Sequence, residues 1–158
     1  METQLKIVNS QQLKEKVADW KKEGLSTVFT NGCFDILHLG HVDYLEKAAS
    51  KGDKLIIAIN TDSSVKKLKG DSRPINNEIA RARLLAALAF VDAVTFFSED
   101  TPLELISSII PNVLVKGSDY QISNIVGADV VLQNGGSVET VDLVEGYSTS
   151  QIIKQIKA

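Results

Sequence analysis

The chain reads as a doubly wound parallel α/β sheet, a Rossmann-like arrangement, and three observations point there. Apolar runs without alternation indicate strands buried on both faces, the habit of parallel sheets; Lys54-Leu-Ile-Ile-Ala-Ile-Asn60 is the clearest. Segments of helical periodicity separate these runs at short spacing. The side chains that carry chemistry follow strands, and therefore gather on the edge where such sheets bind ligands.

Taken in order, Leu13, Val17 and Trp20 recur at helical spacing, so residues 1–24 form an N-terminal amphipathic helix ahead of an α/β core over residues 25–158. Ser26 to Thr30 is a β-rich run. A helix carrying Val42, Leu45, Ala48 and Ala49 follows, closed by Gly52-Asp53 before the strand Lys54 to Asn60. Thr61 to Arg73 reads as a basic loop, and Ile79 to Ala89 as a helix. Ala93 to Phe97 is a strand, after which Thr101-Pro-Leu-Glu104 spells an N-cap, a proline at the first helical position and a capping box. Val113 to Lys116 is a strand, Ile125 to Leu132 a short helix, and Val138 to Val141 a strand after Gly135-Gly136. The last helix opens at Gly146-Tyr-Ser-Thr-Ser-Gln151, where Ser148 and Gln151 have capping-box spacing.

At 158 residues, 44% hydrophobic and 23% charged, this is one domain with a real core. No N-terminal stretch joins basic residues to a long apolar run, and no apolar run would span a bilayer, so no membrane partner is expected. The one cysteine, Cys33, excludes an internal disulfide framework and fits a cytoplasmic setting. A net charge of −3 argues against a general nucleic-acid binder. The distribution says more. Lys66, Lys67, Lys69, Arg73, Arg81 and Arg83 face only Asp71 and Glu78 in that stretch, a positive island suited to a small anionic ligand.

Both histidines fall in the run Thr30-Asn-Gly-Cys-Phe-Asp-Ile-Leu-His-Leu-Gly-His41, which reads as strand end, tight loop and first helical turn. Residues three apart on a helix share a face, so His38 and His41 can address one object. Gly40 lets a bulky group approach the backbone. A helix start offers unpaired N–H groups and the positive end of its dipole, a seat for phosphate. A zinc site would need three or four converging ligands, and no further His or Cys joins His38, His41 and Cys33; Asp35 or Asp43 would have to complete it. Cys33 has no histidine–acid pair arranged to activate it as a nucleophile.

His38-Leu-Gly-His41 after an apolar strand resembles the HxGH motif of the cytidylyltransferase-like nucleotidyltransferases, and Gly146-Tyr-Ser-Thr-Ser150 their second phosphate motif. Leu68-Lys-Gly-Asp-Ser-Arg-Pro74, Leu114-Val-Lys-Gly-Ser-Asp-Tyr120 and Ile125-Val-Gly-Ala128 are similar to runs of the heptose 1-phosphate adenylyltransferases in that group. The resemblance implies transfer of AMP from ATP to a sugar 1-phosphate, giving ADP-heptose and pyrophosphate, with Mg²⁺ accompanying ATP. By that resemblance the amides of Cys33 and Phe34, the His41 side chain and Arg81 hold the nucleotide phosphates, and His38 stabilises the reacting phosphate. Asp35 orients either the sugar phosphate or a Mg²⁺ ion. Lys69, with Lys67, reaches over the phosphates, and Lys116 contributes to substrate binding. Tyr147, Ser148 and Thr149 take the β,γ-phosphates, while Gly117, Asp119 and Tyr120 line the adenine and ribose pocket.

Small-molecule substrates are the partners so implied, and a homodimer is left open. Such domains often follow a sugar kinase; none is present in this sequence, which implies separate kinase and phosphatase proteins. Asp142-Leu-Val-Glu145 lacks the arginine that some glycerol-phosphate cytidylyltransferases carry there, which weakens a cytidylyl alternative. A catalytically silent nucleotide-binding module is the other alternative.

Overall fold

The computed structural model describes residues 2–158. After a 3-10 turn at Thr3–Lys6 come α1 (Ser10–Lys22), β1 (Thr27–Gly32), α2 (Leu39–Ala49), β2 (Lys54–Asn60), α3 (Asp62–Lys69) and α4 (Glu78–Ala86). The chain continues with β3 (Ala93–Phe97), α5 (Leu103–Ile109), β4 (Val113–Gly117), a 3-10 turn at Ile122–Asn124, α6 (Ala128–Gln133), β5 (Ser137–Val141) and α7 (Thr149–Lys157). All strands run parallel in the order β3-β2-β1-β4-β5, the doubly wound sheet expected.

Alternation along each strand feeds two cores. Phe29, Ile56, Ala58, Leu114 and Val138 pack on one face with α1, α5 and α6. Val28, Ile57, Ile59, Val115 and Val141 pack on the other with α2 and α4. Both faces are covered, which is why the interior strand β2 shows no polar alternation.

β1 is registered with β2 from Thr27↔Lys54 to Gly32↔Ile59, but with β4 only at Val28↔Val113 and Phe29↔Leu114. The switch point of the winding lies here, since β2 and β3 build out on one side of β1 and β4 and β5 on the other. Above Phe29, side chains span the unpaired gap. The Tyr44 hydroxyl bonds Thr30 Oγ1 at 2.8 Å and donates to the Val115 carbonyl at 3.1 Å. From the opposite face, Lys116 Nζ donates to the Asn31 carbonyl at 3.2 Å.

Four local expectations need correction. The N-terminal segment holds the 3-10 turn as well as α1, and α1 ends at Lys22; residue 1 lies outside the described residues. The basic loop is largely α3: Thr61 caps it and buries Val65, and a single buried apolar position shows too little periodicity to reveal a helix. No capping box forms at Thr101, because α5 begins one residue later with Pro102 as its N-cap and no side-chain cap. The Ile125–Leu132 helix starts only at Ala128, after Gly127 in the left-handed conformation. Among the described residues no helix is long and apolar enough to cross a membrane.

Candidate active site

A cleft of about 740 Å³ opens over the carboxyl ends of β1, β2 and β4. It receives residues from the loop and helix start after β1, from α3, from the segment after β4 and from the start of α7, among them His38, His41, Lys69, Lys116, Gly117, Asp119, Tyr120, Tyr147, Ser148 and Thr149.

His38 is the N-cap of α2, its Nδ1 accepting the His41 amide at 3.3 Å. That acceptor role puts the ring proton on Nε2, a donor available to the cleft. The rings of His38 and His41 stack with centroids 3.7 Å apart. Burial lowers the pKa of His38. Burial first, then the His38 ring, and to a smaller degree Lys69, press His41 down to about 4, against an opposing pull from the Ile36 carbonyl. Near neutral pH both rings are uncharged hydrogen-bond donors, and imidazolium chemistry is disfavoured. At the far end, Ser148 caps α7 by accepting the Gln151 amide at 3.1 Å, half of the expected box. The two helix starts meet: a Cβ on Gly40 would lie 3.1 Å from the His38 ring and 3.2 Å from Tyr147 Cβ.

Two expected ligands prove to be clamps. Arg81 is fully buried, and its donors are taken by the carbonyls of Asn76 (3.0 Å), Cys33 (2.7 Å) and Asn60 (2.8 Å) and by Asp62 Oδ1 (2.8 Å). It has no face toward the cleft. Across the planar peptide, however, fixing the Cys33 carbonyl turns the Phe34 N–H the other way, where no protein carbonyl meets it among the described residues. Asp35, 2% exposed, accepts from Arg73 Nε (2.6 Å) and from the amides of Ile75 and Asn76 (both 2.9 Å). Burial alone would raise its pKa, but those amides and Arg73 hold it below the ordinary carboxylate value. Its oxygens are committed to the loop, not to a sugar or a metal.

Lys67 is exposed and outside the cleft, because it and Lys69 sit two apart on α3 and face different ways. The Phe34 ring is buried, with φ +47°, and packs edge-on to His41 at 5.1 Å. Gly32 has no room for a side chain, since a Cβ would fall 2.9 Å from that ring. Lys116 lines the floor, and burial pushes its ammonium down to about 8 despite support from Asp119 and Cys33.

Sequence reading missed Asn31, Tyr44, Asn60, Thr101, Asn124 and Leu143 as cleft residues. A signal existed for two of them: Asn31 and Asn60 each stand near the carboxyl end of a β-rich run. Among the described residues no three His, Cys, Asp or Glu side chains gather to hold a metal ion. With Asp35 consumed, Asp100 and Asp119 are the carboxylates that line the cleft.

Residues 29–155 match the family model described as Cytidylyltransferase-like, which takes in both helix starts of the cleft. The chain belongs to the cytidylyltransferase-like family. Membership makes it a nucleotidyltransferase. It is 55% identical over 89% of its length to the bifunctional protein HldE of Azorhizobium caulinodans, and 54% identical over 99% to that of Haemophilus ducreyi. It covers 29% and 33% of those proteins, so it spans about a third of the curated relatives it matches. A lipopolysaccharide core biosynthesis protein from Thermoplasma volcanium GSS1 superposes with a TM-score of 0.60 at 27% identity, over 79% of this chain and all of that one.

Proposed function

We propose that this member of the cytidylyltransferase-like family transfers AMP from ATP to a sugar 1-phosphate, D-glycero-β-D-manno-heptose 1-phosphate, releasing pyrophosphate and giving ADP-heptose. The observation that carries the reading is the meeting of two helix starts, α2 at His38 to His41 and α7 at Ser148, on one cleft. The choice of heptose is supported by the likeness to HldE proteins and to a lipopolysaccharide core biosynthesis protein.

In the reaction an oxygen of the sugar phosphate forms a bond to the α-phosphorus of ATP. The bond from that phosphorus to the bridging oxygen breaks, and its electron pair leaves on pyrophosphate. The nucleophile is already anionic, so no general base is required. Catalysis is alignment and charge stabilisation. His38 Nε2–H and the amides opening α2 address the α-phosphate. Ser148, Thr149 and the α7 amides take the β,γ-phosphates, with Lys69 above them. Tyr120 gives the adenine an aromatic face, beside Gly117 and Asp119. Mg²⁺ would accompany the triphosphate as part of the substrate, and no protein step is assigned to it. A cytoplasmic setting, where ATP is plentiful, fits the reading.

Incubation with ATP, Mg²⁺ and the heptose 1-phosphate should release pyrophosphate and form ADP-heptose. Turnover of CTP with glycerol 3-phosphate, and none with the heptose, would replace this reading with the cytidylyltransferase one.

A further inference from the structure

The cleft has a second wall that the phosphate-directed groups leave unexplained. Phe29, Ala58 and Leu114 point into the core under α1, α5 and α6, so by alternation Asn31, Asn60 and Lys116, each two residues on, lie on that same face of the sheet edge. His41 and Tyr44 come instead from α2, on the opposite face. Thr101 in the β3–α5 turn and Asn124 before α6 line the same cleft as Lys116.

Two features of this wall point to a ligand rich in hydroxyls. Asn31 lines the cleft, and its Oδ1 is buried without a hydrogen-bond partner among the described residues, an acceptor that a donor would relieve. Thr101 has the sequence of a helix cap, yet α5 takes Pro102 as its N-cap and uses no side chain, so the hydroxyl of this cleft-lining threonine caps nothing. Asn124 adds an amide able both to donate and to accept. Apart from Lys116 the wall offers no cation, which suits one phosphate and several hydroxyls, not a second polyphosphate.

We propose that this wall seats the acceptor and selects a polyhydroxylated one: Asn31, Thr101 and Asn124 hydrogen-bond hydroxyls remote from the phosphate, and Lys116 meets the phosphate itself. The proposal rests on the nucleotidyl-transfer reading of the same cleft. A small alcohol phosphate that leaves Asn31 unpaired is rejected, because a buried polar group without its partner costs more than a missing apolar contact.

The test combines kinetics with calorimetry on wild type, Thr101→Val and Asn124→Ala, using an α,β-methylene ATP analogue to hold the nucleotide end. Each variant is expected to raise KM for the sugar 1-phosphate about five- to tenfold, the worth of one or two neutral hydrogen bonds. Affinity for the ATP analogue and the melting temperature should stay essentially at wild-type values. Unchanged sugar KM in both variants overturns the proposal, as does a parallel loss of analogue affinity. So does wild-type protein that binds the analogue but no sugar 1-phosphate. In that last case turnover of glycerol 3-phosphate leaves nucleotidyl transfer standing, whereas failure to bind the analogue removes that reading and the acceptor seat with it. Threonine to valine keeps the side-chain shape, so Thr101→Val reports on the hydroxyl even if Asn124→Ala folds poorly.

Discussion

His38 and His41 stack almost face to face, their ring planes inclined by only 19°. At that separation a proton on one ring opposes a proton on the other. His38 is further committed, because its Nδ1 accepts the His41 amide and would lose that cap on protonation. The pair therefore supplies two neutral imidazoles at pH 7, and positive charge at the site comes from Lys69, Lys116 and the two helix starts.

His38→Ala and His41→Ala should each lower turnover about a hundredfold, on the order of the loss of one preorganised donor. Pyrophosphate release measures the rate, and circular dichroism checks that the fold survives. Near-normal rates in both would remove the basis of the mechanism.

His41 also sets a pH dependence of stability. Its folded pKa of about 4 lies below the ordinary histidine value of 6.5, so the unfolded chain takes up the proton first. No stability is lost above that ordinary value; the melting temperature should fall as pH drops from there toward the folded value, then level. His41→Gln should flatten this slope. Asp35, whose carboxyl is held below 3.8, adds its own loss only at still lower pH. An unaltered slope in the glutamine variant would assign the effect elsewhere.

Lys116 should shape the basic limb of activity. With its ammonium at about 8, the free enzyme loses this cation as pH rises through that value, so kcat/KM should decline above it. Lys116→Met should erase the limb and lower kcat/KM at pH 7 about tenfold or more, the scale of a charge-assisted hydrogen bond. A limb that persists in the methionine variant belongs to another group.

Arg81→Met and Asp35→Ala test clamps against ligands. Each leaves buried partners uncompensated, and the expected cost is about 3–5 kcal/mol for Arg81 and close to the lower figure for Asp35. Urea denaturation measures both. Full stability combined with lost nucleotide affinity would return these residues to the ligand set.

Gly40→Ala separates site geometry from stability. Alanine in a helix gains about 1 kcal/mol over glycine, which offsets part of the crowding. The new methyl group still presses on His38 and Tyr147 at 3.1 and 3.2 Å. Turnover should fall at least tenfold while the melting temperature moves little, the scale of disturbance a small misplacement brings. Wild-type turnover would mean that the α2–α7 approach is not needed.

The parallel sheet was legible because unbroken apolar runs such as Leu55 to Ile59 have only one comfortable place, between two layers of helix. The two helix starts at His38 and Ser148 were legible because glycine and capping residues act within a few positions of one another. α3 was hidden because it buries little beyond Val65, and the cap at Thr101 misled because Pro102 shifts the helix start by one residue.

The amino-acid sequence alone determined the winding of the sheet, the edge that carries the site, and the two helix starts, all of them consequences of short-range pattern and handedness. Tertiary structure decided which charged groups face the cleft. Arg81 and Asp35 differ from Lys69 and Lys116 in nothing that spacing reveals; what separates them is where buried carbonyls and amides from distant segments lie, and a buried charge goes to the partners that can satisfy it.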